Sequence, residues 1–137
     1  MSEKSTFDTE AAVNALINTS GFLRVAHEQL IEEWSPDAPP LTIVFSSLGR
    51  SLCCHSSTSS DKALMEICTV IEELMNRGDD TVKDAVATGM LEGMLGESSA
   101  GMCDMLTLAP FLGAQTKAYC RSWDEFTGNQ TPGLFDG

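Results

Sequence analysis

The residues of this 137-residue chain able to do chemistry are few: His27 and His55, five cysteines, and carboxylates among which Glu92, Asp79, Asp80 and Asp84 stand out by position. Cys53-Cys54-His55 is the nearest approach to a metal-binding cluster. Successive helical side chains point about 100° apart, so three adjacent ones converge poorly on one ion, and no metal site is expected. His27 falls on an apolar helical stripe, where a hydrogen-bonded core imidazole is a commoner outcome than a general base. Ser46, Ser47 and Ser51 lack a G-x-S-x-G setting, and no stretch matches the phosphate-cradling G-x-x-x-x-G-K-[ST] loop. Glu92 lies beside the Gly-rich stripe of a helix with apolar residues on both sides, and a buried acid needs partners. It is either a catalytic acid with a raised pKa or, the commoner case, a carboxylate bonded to a Tyr, Arg or backbone donor. Asp79, Asp80 and Asp84 crowd the start of the same helix, where unsatisfied amides and the helix dipole favour negative charge. Capping uses at least one of the three, and acid beyond that need suits contact with a basic surface. No enzymatic role and no cofactor is expected.

These residues must be positioned by helices. From Asp61 to Met75, the side chains Leu64, Ile67, Cys68, Ile71, Leu74 and Met75 recur at three- and four-residue steps, with Glu66, Thr69 and Glu73 opposite. After an acidic turn at residues 76–80, Val82, Ala85, Val86, Gly89, Met90 and Gly93 form one face of the next helix. Ala87, Leu91, Met94 and Leu95 form most of its other face, which predicts that residues 80–95 are central and the most buried segment. The pair Gly89 and Gly93 removes side chains where a neighbouring backbone approaches, at about 0.5–1 kcal/mol per Gly relative to Ala.

The remaining elements cover that pair. Asp8 or Thr9 caps a first helix carrying Val13, Leu16 and Ile17, which Thr19-Ser20-Gly21 interrupts. A second helix groups Leu23, Ala26, His27, Leu30 and Trp34, with Glu28, Glu32 and Glu33 mostly toward water. Ser35-Pro36 and Pro39-Pro40 end it. The run Leu41, Val44, Phe45, Leu48 and Leu52 keeps helical spacing, and Ser59 or Ser60 caps the helix starting near Asp61. A loop at residues 97–101 and a short apolar piece, residues 102–108, precede a last helix over residues 113–127. There Tyr119, Trp123 and Phe126 align on one side as core, and Lys117, Arg121, Asp124 and Glu125 on the other, Arg121 and Glu125 pairing at four residues. Gly128 is a natural C-terminal cap. Residues 1–6 and 129–137 are expected to be flexible or docked tails, with Leu134 and Phe135 able to dock. The expectation is a single all-α domain, a bundle of about six helices.

Composition bounds the partners. Hydrophobic residues make up 42% of the chain, enough for one core. Twenty Asp and Glu against eight Lys and Arg leave a formal charge of −12, which disfavours nucleic acid as a partner. No apolar run is long enough for a bilayer, residues 1–10 do not resemble a signal peptide, and a cytoplasmic location is expected. Cys53, Cys54, Cys68, Cys103 and Cys120 form no C-x-x-C pair, so reduced thiols are expected.

Two stretches resemble a family of small helical immunity proteins found beside polymorphic and contact-dependent bacterial toxins. Gly78-Asp79-Asp80-Thr81-Val82, leading through Thr88-Gly89-Met90-Leu91-Glu92 to Leu95, is similar to that family's short acidic turn entering a helix that ends aliphatic-Glu-x-x-aliphatic. Residues 112–119 (LGAQTKAY), continuing through Trp123-Asp124-Glu125-Phe126 to Gly128, resemble its closing helix, which opens Leu-Gly-Pro, then a basic and an aromatic residue. Here Ala114 replaces the Pro, which shifts the expected helix start, although Pro110 lies nearby. The resemblance implies an inhibitor that binds a cognate toxin domain, with Glu92 and Trp123 as fold elements rather than contacts.

Taken together, these features point to an immunity protein that neutralises a cognate toxin by direct binding, setting acidic side chains against a basic toxin site. The first candidate contact is Asp79, Asp80 and Asp84, and the second is Glu28, Glu32 and Glu33. The competing expectation is a small acidic chaperone or adaptor for a secreted effector. Chaperones of that size usually mix strands with helices, so an all-helical fold favours the first.

Overall fold

The computed structural model describes residues 7–134, and among these the chain is helical with no strand. Helices α1 (Thr9–Ile17), α2 (Gly21–Trp34), α3 (Leu41–His55) and α4 (Asp61–Arg77) come first. A long helix α5 (residues 80–99), a short α6 (Met105–Leu108) and α7 (Ala114–Thr127) follow. The starts obey local chemistry. Asp8 accepts from the Ala11 amide at 2.8 Å and Ser60 from the Ala63 amide at 3.1 Å, each satisfying a first-turn donor with no helical partner. Residues 1–6 and Phe135 lie outside the described residues, so the tail expectation can be followed only for residues 129–134, which dock.

Helix α5 is continuous but changes pitch. Asp80–Asp84 and Glu92–Ser99 are α-helical, while Ala85–Leu91 is a π-helix; backbone angles stay right-handed through both junctions. Six of its seven π residues, all except Thr88, are buried, because the wider turn spreads them over most of the circumference. The expected burial of residues 80–95 holds over residues 85–95 apart from Thr88, whereas Asp80, Thr81 and Asp84 are exposed; the π segment has no signature in apolar periodicity and was not anticipated.

Helix α3 lies along this segment, backbone close to backbone. A Cβ on Gly89 would sit 2.6 Å from the Thr42 carbonyl oxygen, and one on Gly49 would sit 3.1 Å from that of Met90. Gly93 differs from expectation: a Cβ there meets only Ser46 Oγ, at an ordinary 3.8 Å. Phe45, Leu48 and Leu52 of α3 join Val86, Met90 and Met94 in the core, α2 covers the outer side of α3, and α4 and α7 close the opposite side.

The turn between α4 and α5 is only Gly78-Asp79. Phe7 clamps it in a parallel bridge: its amide donates to Arg77 O and its carbonyl accepts from the Asp79 amide, both at 2.9 Å. The Arg77 guanidinium lies 5.5 Å from the Phe7 ring centre.

Helix α7 is rotated from the expected orientation. Its buried positions are Thr116, Cys120 and Asp124, spaced four apart; Tyr119 and Trp123 sit at the edge of that arc, and Phe126 is 82% exposed. Asp124, expected at the surface, is buried, accepting from the Thr131 amide (2.7 Å) and hydroxyl (2.8 Å). Arg121 does not pair with Glu125; its Nε donates to Leu134 O at 2.6 Å. These bonds, with burial of Leu134, hold the segment after Gly128, which takes the left-handed φ of 81° expected of a cap.

Reduced thiols were expected throughout, but Cys53 and Cys103 form a disulfide, their Cα atoms 4.9 Å apart across a separation of 50 residues. The fold creates that proximity. No local spacing encodes it.

Candidate functional site

Two carboxylates on the inner helices are absorbed by structure. Glu92, half-buried on α5, accepts a short hydrogen bond from the Tyr119 hydroxyl of α7, which is the Tyr-bonded alternative foreseen for it. Burial first, and then the bond to this carboxylate, push the Tyr119 phenol above its ordinary pKa, so it stays a donor. Glu72 of α4 carried no signal in sequence, being one more acid on a partly polar helix face. It accepts from the Gln115 amide (2.9 Å), the Thr116 amide (2.9 Å) and the Thr116 hydroxyl (2.8 Å), and so caps α7 from another helix. Gly113, the N-cap residue, has no side chain to do this, and a Cβ there would lie 2.4 Å from Glu72 Cδ. Burial acts to raise the Glu72 pKa, but these bonds and one from Asn76 outweigh it and hold the carboxyl below its usual range.

Of the acidic turn, Asp79 is half-buried and its carboxylate accepts from the Val82 amide at 2.8 Å, so it serves as the cap. Asp80 and Asp84 are exposed in the same helical segment. Arg77, which pairs with Glu73 at 2.8 Å, brings positive charge to the same edge and weakens its acidic character.

The outer surface of α2 is different. Glu28, Glu32 and Glu33 are all exposed and have no ion pair among the described residues. Large apolar side chains stand among them: Val25 is 50% exposed, Ile31 43% and Trp34 39%. Trp34 was expected on the buried face, but it occupies the last turn of α2, beyond the reach of the core. Asp37 follows, exposed. Between α2 and α3 runs an open groove of about 430 Å³, lined by Gln29, Glu33, Ile43, Ser47, Arg50, Cys54 and His55. His55 stacks on Phe22, with ring centres 4.4 Å apart, and its Nδ1 donates to Ser51 O at 2.9 Å. His27 is half-buried, and among the described residues its ring has no hydrogen-bond partner, where a bonded core imidazole was expected.

Among the described residues no three His, Cys, Asp or Glu side chains gather as a metal site, and Cys53 is committed to its disulfide. No described helix is long and apolar enough to cross a membrane. The groove is lined by polar side chains, and among the described residues these form no bonded series of nucleophile, base and orienting group.

Residues 19–128 match a family described as a domain of unknown function, DUF7674. The chain belongs to that family. The match runs from just before α2 to Gly128, so it includes the α2 face, the π segment, the Glu72 cap and the Glu92–Tyr119 bond. Neither the curated proteins nor the solved structures contain a match to the chain.

Proposed function

We propose that this protein acts by occupying the surface of another protein, as a cytoplasmic immunity protein that neutralises a cognate antibacterial toxin. The observation that carries the binding part is the exposed surface of α2, where Glu28, Glu32 and Glu33, without an ion pair among the described residues, accompany exposed Val25 and Ile31, with exposed Trp34 in the last turn. Apolar anchors within a charged rim are the anatomy of protein interfaces, Trp being enriched among residues that dominate binding energy. The toxin-directed part rests on the resemblance of residues 78–95 and 112–128 to immunity proteins. The all-helical fold supports it over a secretion chaperone.

The face differs from the first sequence candidate. Asp79 is engaged in capping and Arg77 adjoins it, so Asp80 and Asp84 contribute less net acid than the α2 surface. A toxin with a basic active-site cleft would be attracted by the carboxylates and held by the apolar side chains. The test is co-expression with the toxin domains encoded beside this gene, reading growth and co-purification. Protection together with a stable complex is expected. Toxicity unrelieved by the intact protein, with no complex formed by any of them, overturns the proposal.

A further inference from the structure

The disulfide joins two unlike environments. Cys53 is buried near the C-terminal end of α3, while Cys103 is half-exposed in the loop between α5 and α6, whose Met102 is 66% exposed. The chain on both sides of Cys103 is anchored without the bond. Upstream, the Met102 amide donates to Glu97 O at 2.7 Å, finishing α5. Downstream, Asp104 accepts from the Leu106 amide and the Thr107 hydroxyl, and Met105 and Leu108 are buried. Opening the bond therefore frees a short loop and leaves both flanking helices packed.

We propose that Cys53–Cys103 is a reversible thiol–disulfide exchange site, opened in the native state by dithiol reductants and closed by disulfide oxidants. A thiolate of the dithiol attacks Sγ of Cys103, the less buried of the pair; the sulfur–sulfur bond breaks, and Cys53 leaves as a thiolate that takes up a proton. The second thiol of the reductant then attacks the mixed disulfide and releases Cys103, which is protonated in turn. Two electrons and two protons pass to the protein, and the reductant ends as a disulfide.

The couple is insulated from the other cysteines. Cys68 and Cys120 are buried, and desolvation pushes both thiols up to about 12, so neither supplies a thiolate for reshuffling. Cys54 is exposed but adjacent to Cys53 on α3, pointing about 100° away around the helix. Exchange is thus confined to one pair, with two forms of the protein: closed under oxidising conditions, open in a compartment held reducing.

The experiment is maleimide labelling of the full chain under native conditions, counted by intact mass and followed by circular dichroism. In oxidised glutathione one thiol, Cys54, should carry a maleimide or a glutathione; after dithiothreitol Cys103 should label as well, with the helical spectrum unchanged. Amide exchange should rise only around residues 100–104. Return to oxidised glutathione should restore the single label. Cys103→Ser should gain no label on treatment with dithiothreitol. Labelling of Cys103 in oxidised glutathione, reduction that needs denaturant, or loss of helical signal on reduction would each overturn the proposal.

Discussion

The close contact of α3 with the π segment makes a prediction in which two glycines four residues apart respond with opposite sign. Replacing Gly89 by Ala puts a methyl carbon 2.6 Å from the Thr42 carbonyl oxygen and 3.3 Å from Phe45 Cβ. Ordinary contact begins near 3.4 Å, so the backbones must separate by about 0.8 Å, the difference 3.4 − 2.6. Overpacking of this kind costs about 1–3 kcal/mol. Gly93→Ala meets only Ser46 Oγ at 3.8 Å, so it should gain the helical preference of Ala, about 0.5–1 kcal/mol. For a domain of this size, 1 kcal/mol moves the midpoint by roughly 4 °C. Thermal unfolding followed by circular dichroism should show Gly89→Ala lowered by about 4–12 °C and Gly93→Ala raised by about 2–4 °C. If Gly89→Ala unfolds at or above the wild-type midpoint, the backbone contact between α3 and α5 is refuted.

Glu72→Ala should cost about 1–2 kcal/mol in urea unfolding, as loss of a helix cap does, against little change for exposed Glu66→Ala. Because the folded pKa of Glu72 lies below the unfolded one, its contribution is complete above about 4.5 and fades as pH falls through the folded value; the wild-type advantage over Glu72→Gln should shrink there. A constant difference down to acid pH would contradict this. Glu92→Gln should destabilise more than Glu66→Gln, since the half-buried carboxylate loses a charge-assisted bond from Tyr119 of about 1.5–3 kcal/mol. Equal urea midpoints for the two variants would show that the charge of Glu92 adds nothing to the bond.

Much of the architecture was legible because apolar spacing is a direct record of burial. Leu64, Ile67, Ile71 and Leu74 fix the inner face of α4, and the Asp8 and Ser60 caps follow from side-chain oxygens placed before helices. Four features escaped for physical reasons. The pitch change over Ala85–Leu91 leaves no trace where the residues are apolar on every side. The face of α7 was misplaced because its buried arc is built on polar Thr116 and Asp124, whose partners, Glu72 and Thr131, lie elsewhere in the chain. The Cys53–Cys103 bond and the Glu72 cap are products of tertiary proximity. On the surface, the carboxylates of α2 were visible as a candidate, but Trp34 was counted in the core since spacing says nothing about where a helix outruns its neighbours.

The measurement closest to the central claim is the association of this protein with the toxin domain proposed as its partner, at low and high salt, comparing wild type, Glu28→Lys with Glu32→Lys, and Trp34→Ala. Charge reversal on α2 should slow association at low salt, and the difference should shrink as salt screens it, while Trp34→Ala should mainly speed dissociation. Asp80→Lys with Asp84→Lys serves as the control on the other acidic edge and should matter less. Binding unchanged by the α2 substitutions but lost on reversal of Asp80 and Asp84 would contradict the account.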